Sequence, residues 1–162
     1  MKEAASKALT LQPIPHTIVS CRDAEGRDNA LVVGFAANVS LDPPMVMIGV
    51  VPSRFSHHII KETGRFVVSL PGKDMQVAYD YLGSHSGAKE DKLAKLGVRT
   101  ENGTAVNAPL LSDCPVSIEC SVVESTKPGT HELFIGLVET VHCDERYLDA
   151  QGGIQWDRIE LL

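Results

Sequence analysis

One short stretch collects residue types suited to holding an anion: Ser53–Arg54–Phe55–Ser56–His57–His58, at the opening of an amphipathic segment that runs to Thr63. A helix N-terminus offers free backbone N–H groups and the positive end of a dipole. With Arg54 and two hydroxyls beside it, this start describes a compact site for a dianionic phosphate. His57 and His58 either donate to that anion when protonated or orient the helix start. A plainer reading stands beside this one, in which Ser53 only caps the helix and Arg54 is a solvated surface residue. Just upstream lies Asn38–Val39–Ser40–Leu41–Asp42–Pro43–Pro44, separated from the helix start by the apolar run MVMIGVV.

The elements that must position these residues read as mostly β. Runs rich in Val and Ile recur at 16–22, 30–38, 45–51, 65–70, 115–125 and 131–143, each bounded by Gly, Pro, Asp or Asn. In the fifth, Val116, Ile118, Cys120 and Val122 point one way and Ser117, Glu119 and Ser121 the other, the pattern of a half-buried strand. DAEGRDN and KPGT supply turn residues for hairpins. Short helices are expected at 53–63, ending before Gly64; from Asp74 to Gly83; and over KEDKLAKL, stopping at Gly97. Strands with few helices favour a closed or half-closed antiparallel barrel over a doubly wound sheet.

Composition narrows the function. The chain has 162 residues and a formal charge of −6, is 43% hydrophobic, and suggests one globular domain over 1–162. A pI near 5.4 with 5% aromatics argues against nucleic acid as a partner. No apolar run reaches the length that spans a bilayer, and MKEAASKALTLQP lacks the apolar core of a secretory signal, so the expected location is the cytoplasm. The four cysteines form no CxxC and read as small buried hydrophobes. The six histidines lack ligand spacing, so no metal is expected. Neither a dinucleotide fingerprint nor a phosphate loop, HExxH or GxSxG is present.

The ordered series NALVVGFAANVSLDPPMVMIGV, SRFSHHIIKETGRFVVSLP, YDYLGSHSGAKEDKL, APLLSDCPVSIECSVVE and HELFIGLVETVHCD resembles the flavin reductase-like family from about residue 12 to 145. The resemblance implies a six-stranded Greek-key split β-barrel with a few short helices, forming a homodimer with FMN near the subunit interface. It places the flavin along Gly34, Ala36, Ala37, Asn38 and Ser40, and the phosphate and ribityl end at Arg54, Ser56 and His57. Small residues would let backbone approach a flat ring, and backbone N–H groups would stabilise negative charge on it. Asn29 is either a turn residue or the source of a structural or flavin-edge hydrogen bond. Ser86 and Lys92 match an element lying over the flavin pocket, with a solvated helix face as the alternative for Lys92. Phe35 is expected in the core and Trp156 packed on the barrel.

Two departures accompany the likeness. Leu82 and Gly83 stand where many relatives carry a cysteine, so no thiol chemistry carries over, and the end at Leu162 implies a C-terminal tail cut short. The activity implied is an FMN-dependent oxidoreductase taking a hydride from NADH or NADPH, with no side chain nominated as acid or base. The alternatives are a flavoredoxin-like carrier that does not react with nicotinamide, and a flavin-free barrel. The electron acceptor stays open.

Overall fold

The computed structural model describes residues 1–162. Its strands are β1 Thr17–Arg22, β2 Asp28–Val33, β3 Phe35–Leu41, β4 Pro44–Val50, β5 Arg65–Leu70, β6 Thr100–Asn102, β7 Pro109–Leu111, β8 Val116–Thr126 and β9 Glu132–Cys143. The helices are α1 Phe55–Thr63, α2 Gln76–Ser84 and α3 Lys92–Leu96. Seven strands form one antiparallel sheet in the order β2-β1-β5-β8-β9-β4-β3, and β6 pairs with β7 apart from it. No helix is long and apolar enough to cross a membrane.

The run expected as one strand over 30–38 is two strands, broken at Gly34. β2 and β3 occupy opposite edges of the sheet yet are joined by that single residue. A sheet whose two edges are one continuous chain has to curl, which makes the half-closed barrel. Counted as one bent strand, β2–β3 restores the expected six. A bulge between Asn38 and Ser40 interrupts the β3–β4 register.

The barrel interior holds Val19, Cys21, Leu31, Val33, Val46, Ile48, Val50, Phe66, Val68, Cys120 and Phe134, with Ile59 and Ile60 of α1 inserted among them. On the outside, Ile18 and Ala30 are covered by Met75, Leu82 and Leu93 from the α2–α3 region. β1 is therefore buried on both faces. The same holds for β8 near Glu119, which was expected to face solvent. Glu119 is wholly buried, because its carboxylate accepts the backbone N–H groups of Thr104, Ala105 and Val106 in the loop between β6 and β7.

Local turn chemistry accounts for the helix ends. Gly64 and Gly97 take the left-handed conformation after α1 and α3, at φ 64° and 66°. Asp91 caps α3 by accepting from Ala94 N–H at 3.0 Å. The cap expected from Ser53 does not form: α1 starts at Phe55, and Arg54, in the capping position, contributes no side-chain bond. Two aromatic expectations also fail. Phe35 is 38% exposed because it lies on the outer face of β3, opposite to Ala36, which packs on the core, and Trp156 is 52% exposed on a surface 3-10 turn.

Candidate functional site

The missing cap sets the chemistry of the α1 start. Phe55 N–H and Ser56 N–H lack acceptors four residues back in the helix, and no other protein atom accepts from them. Ser56 is held in place from β2, since Asn29 Nδ2 donates to Ser56 Oγ at 2.6 Å. Asn29 thus acts as a strut between the sheet and the helix start.

Asn29, Ser53, Arg54, Ser56, His85, Ser86, Gly87 and Lys92 line one cavity of about 150 Å³. The structure brings Asn29, Arg54, Ser56, Ser86 and Lys92 together from four separate segments of chain. No carboxylate lines this cavity, although the chain carries a net charge of −6. Arg54 forms no ion pair, in contrast to Arg22, Arg27, Arg99 and Arg146. Lys92 is only 2% exposed, which removes the solvated reading of this residue. Its ammonium donates to Leu82 O at 3.1 Å and His85 O at 3.0 Å, capping the end of α2. Burial lowers the Lys92 pKa to about 8, and the nearby Arg54 charge pushes the same way. Two cations converge here with no anion between them.

The loop after α2 closes one side of the cavity. His85 stacks on Tyr81 with ring centroids 3.7 Å apart, and Tyr81 OH donates to Glu90 at 2.7 Å. Gly87, which the motif reading passed over, lies where a Cβ would come within 2.3 Å of Asn29 Oδ1 and 2.8 Å of Phe55 Cδ1. Only a residue without a side chain lets the loop sit this close. The SHSG stretch held the signal, but its reason is a contact across the fold.

Gly34, Ala36 and Ala37 line a second cavity of about 390 Å³, with Leu11, Ile14, Phe35 and Met47. Its lining has no charged residue. The two cavities lie along consecutive parts of one chain, Leu31 and Val32 on the first and Gly34 to Ala37 on the second. A charged end and an apolar end arranged in this way fit a phosphate-bearing ligand with a flat apolar ring.

Three expected residues fall elsewhere. Asn38 and Ser40 line neither cavity; they flank the bulge in β3, at the edge of the sheet. His57 is turned away from the Arg54 cavity: its Nε2 lies 2.6 Å from Glu132 Oε2, and its ring packs at 5.5 Å from Phe134. His57 therefore faces the barrel, while Ser56, about 100° away around the helix, is turned to Asn29 and the cavity, and Arg54 reaches the cavity from extended backbone ahead of the helix. The cysteines differ in depth, with Cys21, Cys114 and Cys120 buried and Cys143 partly so. Burial pushes the Cys21 thiol up to about 12, so it is inert as a nucleophile.

A half-closed antiparallel barrel whose two sheet edges are one continuous chain is a split barrel. The flavin reductase like domain model matches residues 11–156, and the chain belongs to that family. Among solved structures it is similar to flavoredoxin from Methanosarcina acetivorans, at 29% identity and a TM-score of 0.92, over 100% of this chain and 85% of that one. It is also similar to an FMN-binding protein from Thermus thermophilus solved with bound 1-cyclohex-2-enone, at 27% identity and a TM-score of 0.81, over 95% of this chain and 84% of that one. Among curated proteins it is 31% identical over 122 residues to the NADH:riboflavin 5′-phosphate oxidoreductase of Streptomyces pristinaespiralis, covering 75% of this chain and 66% of that protein. The chain spans 73%, 66% and 54% of the lengths of three curated relatives.

Proposed function

We propose that this chain is an FMN-dependent oxidoreductase that takes electrons from a nicotinamide nucleotide and passes them to a small-molecule or protein acceptor. The observation that carries the reading is the cavity shared by Arg54 and Lys92, two cations without a counter-ion at a helix start with free N–H groups. Dianionic phosphate at the end of a ribityl chain supplies the missing charge. Arg54 would hold that phosphate with the N–H groups of Phe55 and Ser56. Ser53 and Ser86 would add hydroxyl donors, and Lys92 would supply buried charge. The uncharged cavity at Gly34, Ala36 and Ala37 would take the ring and keep water from it. FMN, when bound, supplies hydride acceptance and onward electron transfer, so the protein's part is positioning and electrostatic tuning. The similarity to an NADH:riboflavin 5′-phosphate oxidoreductase supports nicotinamide as donor.

A homodimer is part of this reading. Met45, Met47, Leu133, Ile135 and Leu137 are only half-buried, in register on the side of the sheet away from the core, with Phe35, Val39 and Leu41 exposed beside them. An apolar face of this kind is the sort that a second subunit covers.

A flavoredoxin-like carrier is the second reading, favoured by the similarity to the Methanosarcina flavoredoxin. The deciding experiment is the visible spectrum after FMN addition and desalting, followed by anaerobic NADH and NADPH. Retained flavin that bleaches supports the reductase. Retained flavin that bleaches only with dithionite supports the carrier. If no flavin is retained and excess FMN gives no turnover, the flavin reading is wrong.

A further inference from the structure

We propose that Glu132, which lines neither cavity, is a positioning residue that sets the first turn of α1 and through it the phosphate end of the flavin site. The inference rests on the reading of the Arg54 cavity as the place of the FMN phosphate.

Glu132 is the first residue of β9 and is only 4% exposed. Its side chain shares the core face with Phe134, two residues along the strand. A buried carboxylate is costly unless its oxygens find donors, and both oxygens do here. His57 Nε2 lies 2.6 Å from Oε2, Lys61 Nζ lies 3.0 Å from Oε1, and Ser125 Oγ donates to Oε1 at 2.9 Å. The Lys61 ammonium chiefly, with His57 and Ser125, holds the carboxyl down at about 2 despite its burial. It is therefore ionised throughout the neutral range.

His57 and Lys61 are four residues apart and so share one face of α1. The carboxylate clamps that face to the barrel, while Ser56, one residue earlier, reaches the cavity and receives Asn29. Two anchors, Asn29 from β2 and Glu132 from β9, thus fix the rotation and height of the turn that carries the free N–H groups. The neighbouring His131 ring packs 4.5 Å from Phe35 on β3. Adjacent residues at the start of β9 hold both ends of the proposed flavin site, one through α1 and one through the edge strand.

The test compares affinities for FMN and for riboflavin, which lacks the phosphate, in the wild type, Glu132→Gln, His57→Gln, the double variant and Lys61→Met. Residues that orient the ligands of metal sites change affinity by about 10–100-fold when lost, and the lower end of that scale is the expectation for this anchor. FMN binding in Glu132→Gln is expected to weaken about tenfold with riboflavin binding unchanged. His57→Gln should match it, and the double variant should be no worse than either. Lys61→Met removes a donor to the same carboxylate one turn further on, at an exposed position, so it should weaken FMN binding in the same direction as Glu132→Gln but by less. Hydrogen exchange of the His57 amide, which donates to Arg54 O at 3.0 Å in the first turn, reads the anchor in flavin-free protein without any flavin, and should quicken in Glu132→Gln. Equal weakening towards both flavins, or an unchanged ratio with unchanged exchange, would overturn the positioning role. Faster exchange in a protein whose wild type never preferred FMN to riboflavin would instead keep the anchor and overturn the phosphate reading.

Discussion

Arg54 and Lys92 line the same cavity from elements far apart in the chain, one preceding α1 and the other opening α3. Burial is the main reason that the Lys92 pKa falls to about 8, and the Arg54 charge adds to it. Neither meets a carboxylate. The arrangement is costly without an anion and favourable with one, which makes it a selective device rather than a source of stability.

Removing Arg54 should separate flavin binding from folding. Arg54→Ala loses charge-assisted bonds worth about 1.5–3 kcal/mol, a roughly ten- to hundredfold loss of FMN affinity. Riboflavin affinity and the thermal midpoint of the flavin-free protein should hardly move, because Arg54 has no protein partner to lose. Unchanged FMN retention after desalting would remove Arg54 from the site.

Lys92 makes FMN binding depend on alkaline pH. Its ammonium begins to lose a proton near pH 8 in the flavin-free protein, so FMN affinity should be constant below that pH and fall above it. Riboflavin affinity should stay flat over the same range. The sign for folding is the reverse. Between about 8 and the ordinary 10.5 the unfolded chain holds more protons, so this group's contribution to stability rises with pH there. Titrations of both flavins from pH 7 to 10, repeated on Lys92→Met, check this. The variant should lose the pH dependence and be destabilised, because Leu82 O and His85 O lose their donor.

Gly87→Ala should damage the cavity through Asn29. The added Cβ would lie within 2.3 Å of Asn29 Oδ1 and 2.7 Å of its Cγ, so the strut to Ser56 or the loop must move. FMN affinity is expected to drop at least tenfold while far-ultraviolet circular dichroism stays native, a pairing that equilibrium dialysis and a spectrum can read together.

Glu119 links stability to acid. Burial alone would raise its pKa, but His142 and the N–H groups of Thr104, Val106 and Ala105 more than reverse that and hold it at about 2. The stabilisation is present above the ordinary carboxylate range and is lost as pH falls towards about 2. Glu119→Gln should therefore lower the free energy of chemical unfolding at pH 7 by roughly 1–3 kcal/mol, since the amide keeps only one oxygen to accept from the three N–H groups. The gap to wild type should shrink at pH 2–3.

Much of this protein is readable residue by residue. The Val- and Ile-rich runs marked all six strands of the barrel because period-two burial is written locally, and Gly64 and Gly97 ended helices because only glycine takes the left-handed region cheaply. Asn29, Arg54, Ser56, Ser86 and Lys92 were each legible as polar residues in an ordered series of motifs. The break at Gly34 was not legible, since an unbroken apolar run looks the same whether or not the sheet must curl there. β6 and β7 were missed because strands of three residues carry too little pattern.

Tertiary structure alone decided which residues share a cavity and which are walled off from it. Glu132 and His57 are 75 positions apart, and only the pairing of β9 with β4, whose end leads into α1, brings them to 2.6 Å. The burial of Lys92 and Glu119 has the same origin, for a charge goes inside only where distant segments supply its partners. Spacing along the chain names side chains able to do chemistry, whereas the direction each one faces follows from long-range sheet order, which no local periodicity encodes.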